Sequence, residues 1–120
     1  MTHSRNKGAN GERELAAVFR SAGYPEARRG QQHAGGPGSP DVVGGPPGIH
    51  WECKRVEAGN PYVWHDQAVR DAGGESIPIV AHRRSNRPWL AILTLDALLA
   101  LLAKAQPPHD ECSKDVDWLG

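Results

Sequence analysis

No run of apolar residues in this chain approaches the ~18–20 needed to cross a bilayer, so no membrane-spanning helix is expected. The opening segment, Met1 to Gly8, is polar and basic and lacks the apolar centre of a secretory leader, so a cytoplasmic location is expected. Cysteine is scarce: Cys53 and Cys112 are the two present, too few for a disulfide scaffold and expected to be reduced thiols. An excess of charge of either sign is missing too, with 14 basic and 14 acidic side chains giving a formal net charge of zero. At 120 residues there is room for one domain burying roughly two-thirds of its unfolded surface, and none for a second core.

The neutral total hides an uneven distribution. Residues 1–33 carry Arg5, Lys7, Arg13, Arg20, Arg28 and Arg29 against Glu12, Glu14 and Glu26, whereas residues 106–120 carry Lys114 against Asp110, Glu111, Asp115 and Asp117. The body of the chain is therefore basic, which suits a polyanionic partner. The expected organisation is a basic flexible arm over 1–9, one folded domain over 10–105 and an acidic, disordered tail over 106–120.

Asn10 followed by Gly11-Glu12-Arg13-Glu14-Leu15 reads as a helix N-cap with acidic residues in the first turn. Leu15, Val18, Phe19 and Ala22 then form one apolar helix face, with Gly23 as the stop. Residues 24–29 are a weak strand candidate, and the Gly- and Pro-rich stretch 30–40 is expected to be loop. Residues 41–43 and 49–55 read as two strands joined by the turn Gly44–Gly48, hence an antiparallel hairpin. A helix is expected from Tyr62 to Ala72, ended by Gly73 and Gly74. Buried strands are expected at 77–81 and 89–93, around the basic turn 82–88. Thr94 can cap a last helix, on which Leu95, Leu98, Leu99 and Leu102 make an apolar stripe. The order is α-β-β-β-α-β-β-α, an α/β domain with a mixed central sheet flanked by helices.

Chemistry concentrates in Ser39-Pro40-Asp41-Val42-Val43 and Trp51-Glu52-Cys53-Lys54. Strand alternation points Glu52 and Lys54 one way and Trp51 and Cys53 the other. A hairpin folding at 44–48 carries Asp41 toward Glu52. Two carboxylates ~4 Å apart repel by roughly 4 kcal/mol at an effective dielectric of ~20, so the pair needs a cation or a raised pKa to persist. Oxygen ligands suit Mg²⁺ or Mn²⁺, which bind phosphate oxygens readily.

Pro40-Asp41 followed by Glu52-Cys53-Lys54 resembles the PD-(D/E)XK nuclease motif, including the proline before the first aspartate. Lys7-Gly8 and Glu12-Arg13-Glu14-Leu15 on a first helix are similar to the opening of archaeal-type Holliday junction resolvases and related phage nucleases. Gln67 stands on the following helix where many of these enzymes carry a glutamine. The loop from Arg28 to Asp41 and the stretch Asp66 to Gly73 look like phage-encoded members. The resemblance extends over about residues 5 to 103. It implies a restriction-endonuclease-like fold and a metal-dependent endodeoxyribonuclease acting on branched DNA, most simply a Holliday junction resolvase of phage type. For a phage gene the expected location is the host cytoplasm. Asp41 and Glu52 would bind Mg²⁺ or Mn²⁺ with the backbone carbonyl of Cys53, and Glu12 would reach the same ion directly or through a water. Lys54 would orient or deprotonate the attacking water, and Gln67 would hydrogen-bond Lys54 or that water. One departure stands out: where archaeal resolvases place a catalytic serine, this loop begins Gly30-Gln31-Gln32-His33, so Gln31, Gln32 or His33 would take over a phosphate contact.

Each residue also has an ordinary reading. Glu12 competes with Glu14 for the catalytic role and with simple service at a helix start, and Gln67 can be a plain polar helix residue. His50-x-x-Cys53 and His109-x-x-Cys112 have zinc-like ligand content, but residues three apart on a strand face opposite sides, so Cys53 is expected as a small core residue. Trp51, Trp64 and Trp89 are expected to pack rather than stack on bases. Arg5, Lys7, Arg28, Arg29, Arg83, Arg84 and Arg87 are the candidate phosphate contacts, some of them ordinary surface charges. Symmetric cutting of a junction needs two sites related by a two-fold axis, hence a homodimer, with the faces near 89–102 as one candidate interface. The alternatives are another structure- or duplex-specific nuclease or nickase of the same type, and a catalytically silent DNA-binding module.

Overall fold

The computed structural model describes residues 2–30 and 40–105, with side chains described from residue 8 onward. Its elements run α1 (Thr2–Ser21), β1 (Arg28–Arg29), β2 (Val42–Val43), β3 (Ile49–Lys54), α2 (Pro61–Ala72), β4 (Ile77–His82), β5 (Leu90–Ile92) and α3 (Leu95–Ala105). The five strands form one sheet in the order β1-β2-β3-β4-β5, antiparallel except for the β3–β4 pair. The expected element order and the antiparallel hairpin are both present. No helix among the described residues is long and apolar enough to cross a membrane.

One expected boundary is corrected. Asn10 does not cap the first helix, because α1 begins at Thr2 and runs unbroken past it. Residues 2–9 form the first turns of the same helix. Asn10 instead accepts a hydrogen bond from Arg13 Nη1 at 3.0 Å, one turn away on the exposed side. Two glycines at 8 and 11 lower intrinsic helix propensity at this point, which is why the local pattern reads as a start. Gly11 is nevertheless required where it stands: it is buried, and a Cβ there would run into Cβ of Arg55 just past β3. The helix can approach the sheet closely only without that side chain.

The other boundaries follow the local chemistry. Asn60 caps α2, its side chain accepting from the Tyr62 amide at 2.9 Å, and Pro61 occupies the first helical position. Gly73 closes α2 in the left-handed conformation at φ 65°. Thr94 caps α3 by accepting from the Ala97 amide at 3.0 Å.

The two faces of β3 differ. Trp51 joins Leu15, Ala16, Phe19, Ala27, Val42, Ile79 and Ala81 in the main core, toward α1. Phe19 and Trp51 pack with ring centroids 4.7 Å apart. On the α2 side the apolar cluster is smaller, with Trp64, Ala68 and Val80 at its centre. Trp64 packs against His82 in a tilted arrangement with ring centroids 4.6 Å apart, and Trp89 lies partly buried against the main core, so all three tryptophans serve in packing as expected. The leucine stripe of α3 is outward: Leu95, Leu98, Leu99 and Leu102 are all exposed, as is Leu90 on the edge strand β5.

Candidate functional site

Register and alternation together build the site. Val42 pairs with Trp51, so Asp41, one residue before β2, stands across from Glu52, one residue further along β3. The backbone fixes this approach: the Asp41 amide donates to the Trp51 carbonyl at 2.9 Å, and the Cys53 amide donates to Asp41 Oδ2 at 2.8 Å. The Gly30 amide donates to the Asp41 carbonyl at 2.8 Å from the other side. Glu52 lies within hydrogen-bonding reach of both Asp41 and Asp71.

Glu52 is 5 % exposed. Burial, followed by the charges of Asp41 and Asp71, pushes its carboxyl up to about 8. Three carboxyl groups gathered at a largely buried point are costly if all are ionised, and either a retained proton or a divalent cation relieves them. The donor set therefore fits a metal ion. Among the described residues His50, Glu52 and Asp71 offer ligand atoms all within 4.8 Å of one another, a group that can hold a metal.

Glu12 arrives from α1 on the Asp41 side. Its carboxyl is pushed up by burial and by Asp41, opposed by Arg29, whose Nε donates to Glu12 Oε1 at 2.8 Å. Glu14 takes a different direction, accepting from Arg83 Nη1 at 2.9 Å and from Arg55 Nε at 3.4 Å. The helix therefore delivers Glu12, not Glu14, beside Asp41. Lys54 is half-buried on the Glu52 side of the strand, and its positive charge is felt at the neighbouring Cys53 thiol. That thiol is pushed up to about 12, chiefly by burial, which makes it a packed and unreactive sulfur.

Gln67 is not drawn in. It is exposed on α2, and its side chain makes no hydrogen bond to Lys54 or to any other described residue. Asp71, one turn later on α2, is the residue that reaches Glu52. The second residue that local reading passes over is His50, 4 % exposed, with Nε2 at 2.8 Å from Glu52 Oε2. Burial lowers its pKa, with Asp71 and Asp41 opposing. The two-residue strand period already puts His50 on the face of Glu52; the pairing with Cys53 fails for the same reason.

The cationic candidates divide. Arg29 is committed to Glu12, and Arg83 to Glu14 and the Arg87 carbonyl. Arg28 is exposed and donates to the Glu26 carbonyl at 3.1 Å. Arg84 and Arg87 line an open cavity of about 390 Å³ with Trp64, His82 and Leu90. Arg5 and Lys7 lie on α1, in the part where side chains are not described; Gln31, Gln32, His33, the His109–Cys112 pair and the acidic tail lie outside the described residues.

No family model, curated protein or solved structure matches this chain.

Proposed function

We propose that this chain is a metal-dependent endodeoxyribonuclease of the PD-(D/E)XK type, with a restriction-endonuclease-like fold, that cuts branched DNA, the four-way junction being its leading substrate. The observation that carries the reading is the meeting of Asp41 and Glu52 across the β2–β3 hairpin. Asp41 is held by the Cys53 amide at 2.8 Å, and Glu12 on α1 lies close enough to Asp41 for their charges to interact. Asp41, Glu52, the Cys53 carbonyl and Glu12 would hold Mg²⁺ or Mn²⁺. Such an ion makes a water a usable nucleophile near neutral pH and offsets charge developing on the phosphate. Lys54, two residues beyond Glu52 on the same face, orients the attacking water and faces the phosphate with its ammonium. Arg28, Arg84 and Arg87 are exposed and remain available for the DNA backbone. Gln67, exposed on α2, would act only if DNA brought it toward Lys54. Two copies related by a two-fold axis would present two sites to a junction, and the exposed leucines of β5 and α3 offer an apolar surface for that pairing.

The test is cleavage of a synthetic four-way junction against linear duplex and flap DNA, with Mg²⁺ and with Mn²⁺. Paired nicks on opposing junction strands are expected, and Asp41→Asn and Lys54→Ala should abolish cutting while junction binding persists. Preferential cutting of duplex or flap would replace the substrate with another DNA structure. Binding without cutting by any metal would leave a silent DNA-binding module.

A further inference from the structure

The nuclease reading has no use for His50, the most deeply buried polar side chain of the sheet at 4 % exposure. Its only hydrogen bond among the described residues is to Glu52, at 2.8 Å. A buried imidazole bonded to a carboxyl, with a further carboxyl on Asp71 closing the group, is a donor set that could hold a metal ion.

We propose that His50, Glu52 and Asp71 form a second divalent-ion position, adjoining the one assigned to Asp41 and joined to it by the Glu52 carboxyl, and that this position selects a transition ion of the Mn²⁺ class over Mg²⁺. Adjacent ligands about an octahedral ion at ~2.1 Å lie about 3 Å apart, and opposite ligands about 4.2 Å apart. The His50–Glu52 separation of 2.8 Å matches the first value. The 4.8 Å bound on the whole group is brought to the second by a side-chain shift of about half an ångström. Two features set the preference. Imidazole nitrogen suits later divalent metals, whereas Mg²⁺ takes oxygen ligands. Mg²⁺ also gives up its waters reluctantly, and a position built from side chains 4 % and 5 % exposed has little room for them. The inference rests on the nuclease reading only for its neighbouring ion; the position itself stands on the buried cluster.

The experiment uses the untagged full chain, stripped of metal and titrated with Mn²⁺ in the absence of DNA. Free Mn²⁺ is counted by electron paramagnetic resonance, and ligand nitrogen is read from ¹⁴N modulation of the bound ion. Two Mn²⁺ per chain are expected, one carrying imidazole coupling, with excess Mg²⁺ displacing the other ion first. His50→Gln should lose the coupling and one ion, and Asp71→Asn should weaken that same ion by roughly tenfold or more. Absence of nitrogen coupling in the wild type, its persistence in His50→Gln, or unchanged affinity in Asp71→Asn would each overturn the proposal. Should His50→Gln fail to fold by circular dichroism, Asp71→Asn, on the half-buried side of α2, decides. Nitrogen-coupled Mn²⁺ in a protein that cuts no DNA would sink the nuclease reading and leave this position standing; cutting without nitrogen coupling would do the reverse.

Discussion

Strand β3 presents two faces made by the same six residues, and they are opposite in character. Toward α1, Trp51 is part of a continuous apolar core with Leu15, Phe19 and Ile79. Toward α2, His50 and Glu52 are buried more deeply than Trp51 itself, yet they gather carboxyl groups instead of methyl groups. Apolar burial stabilises the fold with no further condition. Buried carboxyls raise the energy of the metal-free protein and lower it only when a cation arrives. One face holds the sheet together; the other gathers groups that could hold a metal ion.

The largest expected effect that sharpens this contrast is on the apolar face. Trp51→Ala should cost about 3–5 kcal/mol, as large-to-small core changes do, measured by urea denaturation with and without Mn²⁺. Because Trp51 touches no ligand, the loss should be the same under both conditions; a loss that metal abolishes would break the division of labour.

The next effect belongs to the polar face and has a sign. Glu52 has its folded pKa raised from 4.5 to about 8, so the native state holds a proton that the unfolded state has released. Stability is therefore lost as pH rises through that window. The lowered pKa of His50 acts in the opposite direction, but only below its ordinary value of 6.5. Between pH 6.5 and 8 the raised Glu52 carboxyl sets the direction, so metal-free protein should melt at a lower temperature at pH 8 than at pH 6.5. Glu52→Gln should flatten that slope while abolishing cleavage, and saturating Mn²⁺ should reverse it, since metal displaces the proton. A melting temperature that rises over this range in metal-free wild type would contradict the assignment.

A smaller effect tests how α1 is held against the sheet. Gly11→Ala places a methyl group against Arg55 and should cost about 1–3 kcal/mol through overpacking. It should also displace Glu12 from Asp41, so its cleavage rate should fall further than its stability explains, read by comparing rates at temperatures of equal folded fraction.

Smallest of all are changes at exposed leucines. Leu99→Ser should alter monomer stability by no more than about 0.5 kcal/mol. A shift toward monomer in sedimentation would assign α3 to the pairing surface.

Much of the site is legible in local pattern. Asp41 and Glu52 meet because a Gly- and Pro-rich connector forces a hairpin and a two-residue period puts both on one face; neither condition needs the rest of the chain. The start of α1 is not legible, because Asn10, Gly8 and Gly11 look like punctuation until the sheet is present for Gly11 to lie against. Asp71 is hidden for a related reason. Taking Trp64, Ala68 and Ala72 as the buried line of α2, Asp71 lies about 60° from its centre and Gln67 about 100°. Both are polar residues at the margin of the buried face. Which of them reaches Glu52 depends on how the helix is rotated on the strands.

Turn chemistry and strand alternation act over a few neighbours, so the order of elements, the hairpin and the facing of residues 41, 50, 52 and 54 are encoded locally. That Glu12 rather than Glu14 lies beside Asp41, and Asp71 rather than Gln67 reaches Glu52, is settled by packing. Those choices turn on the rotation and closeness of helices packed on a sheet, which the burial of Leu15, Phe19, Trp64 and Ala68 fixes jointly and no single stretch of chain encodes.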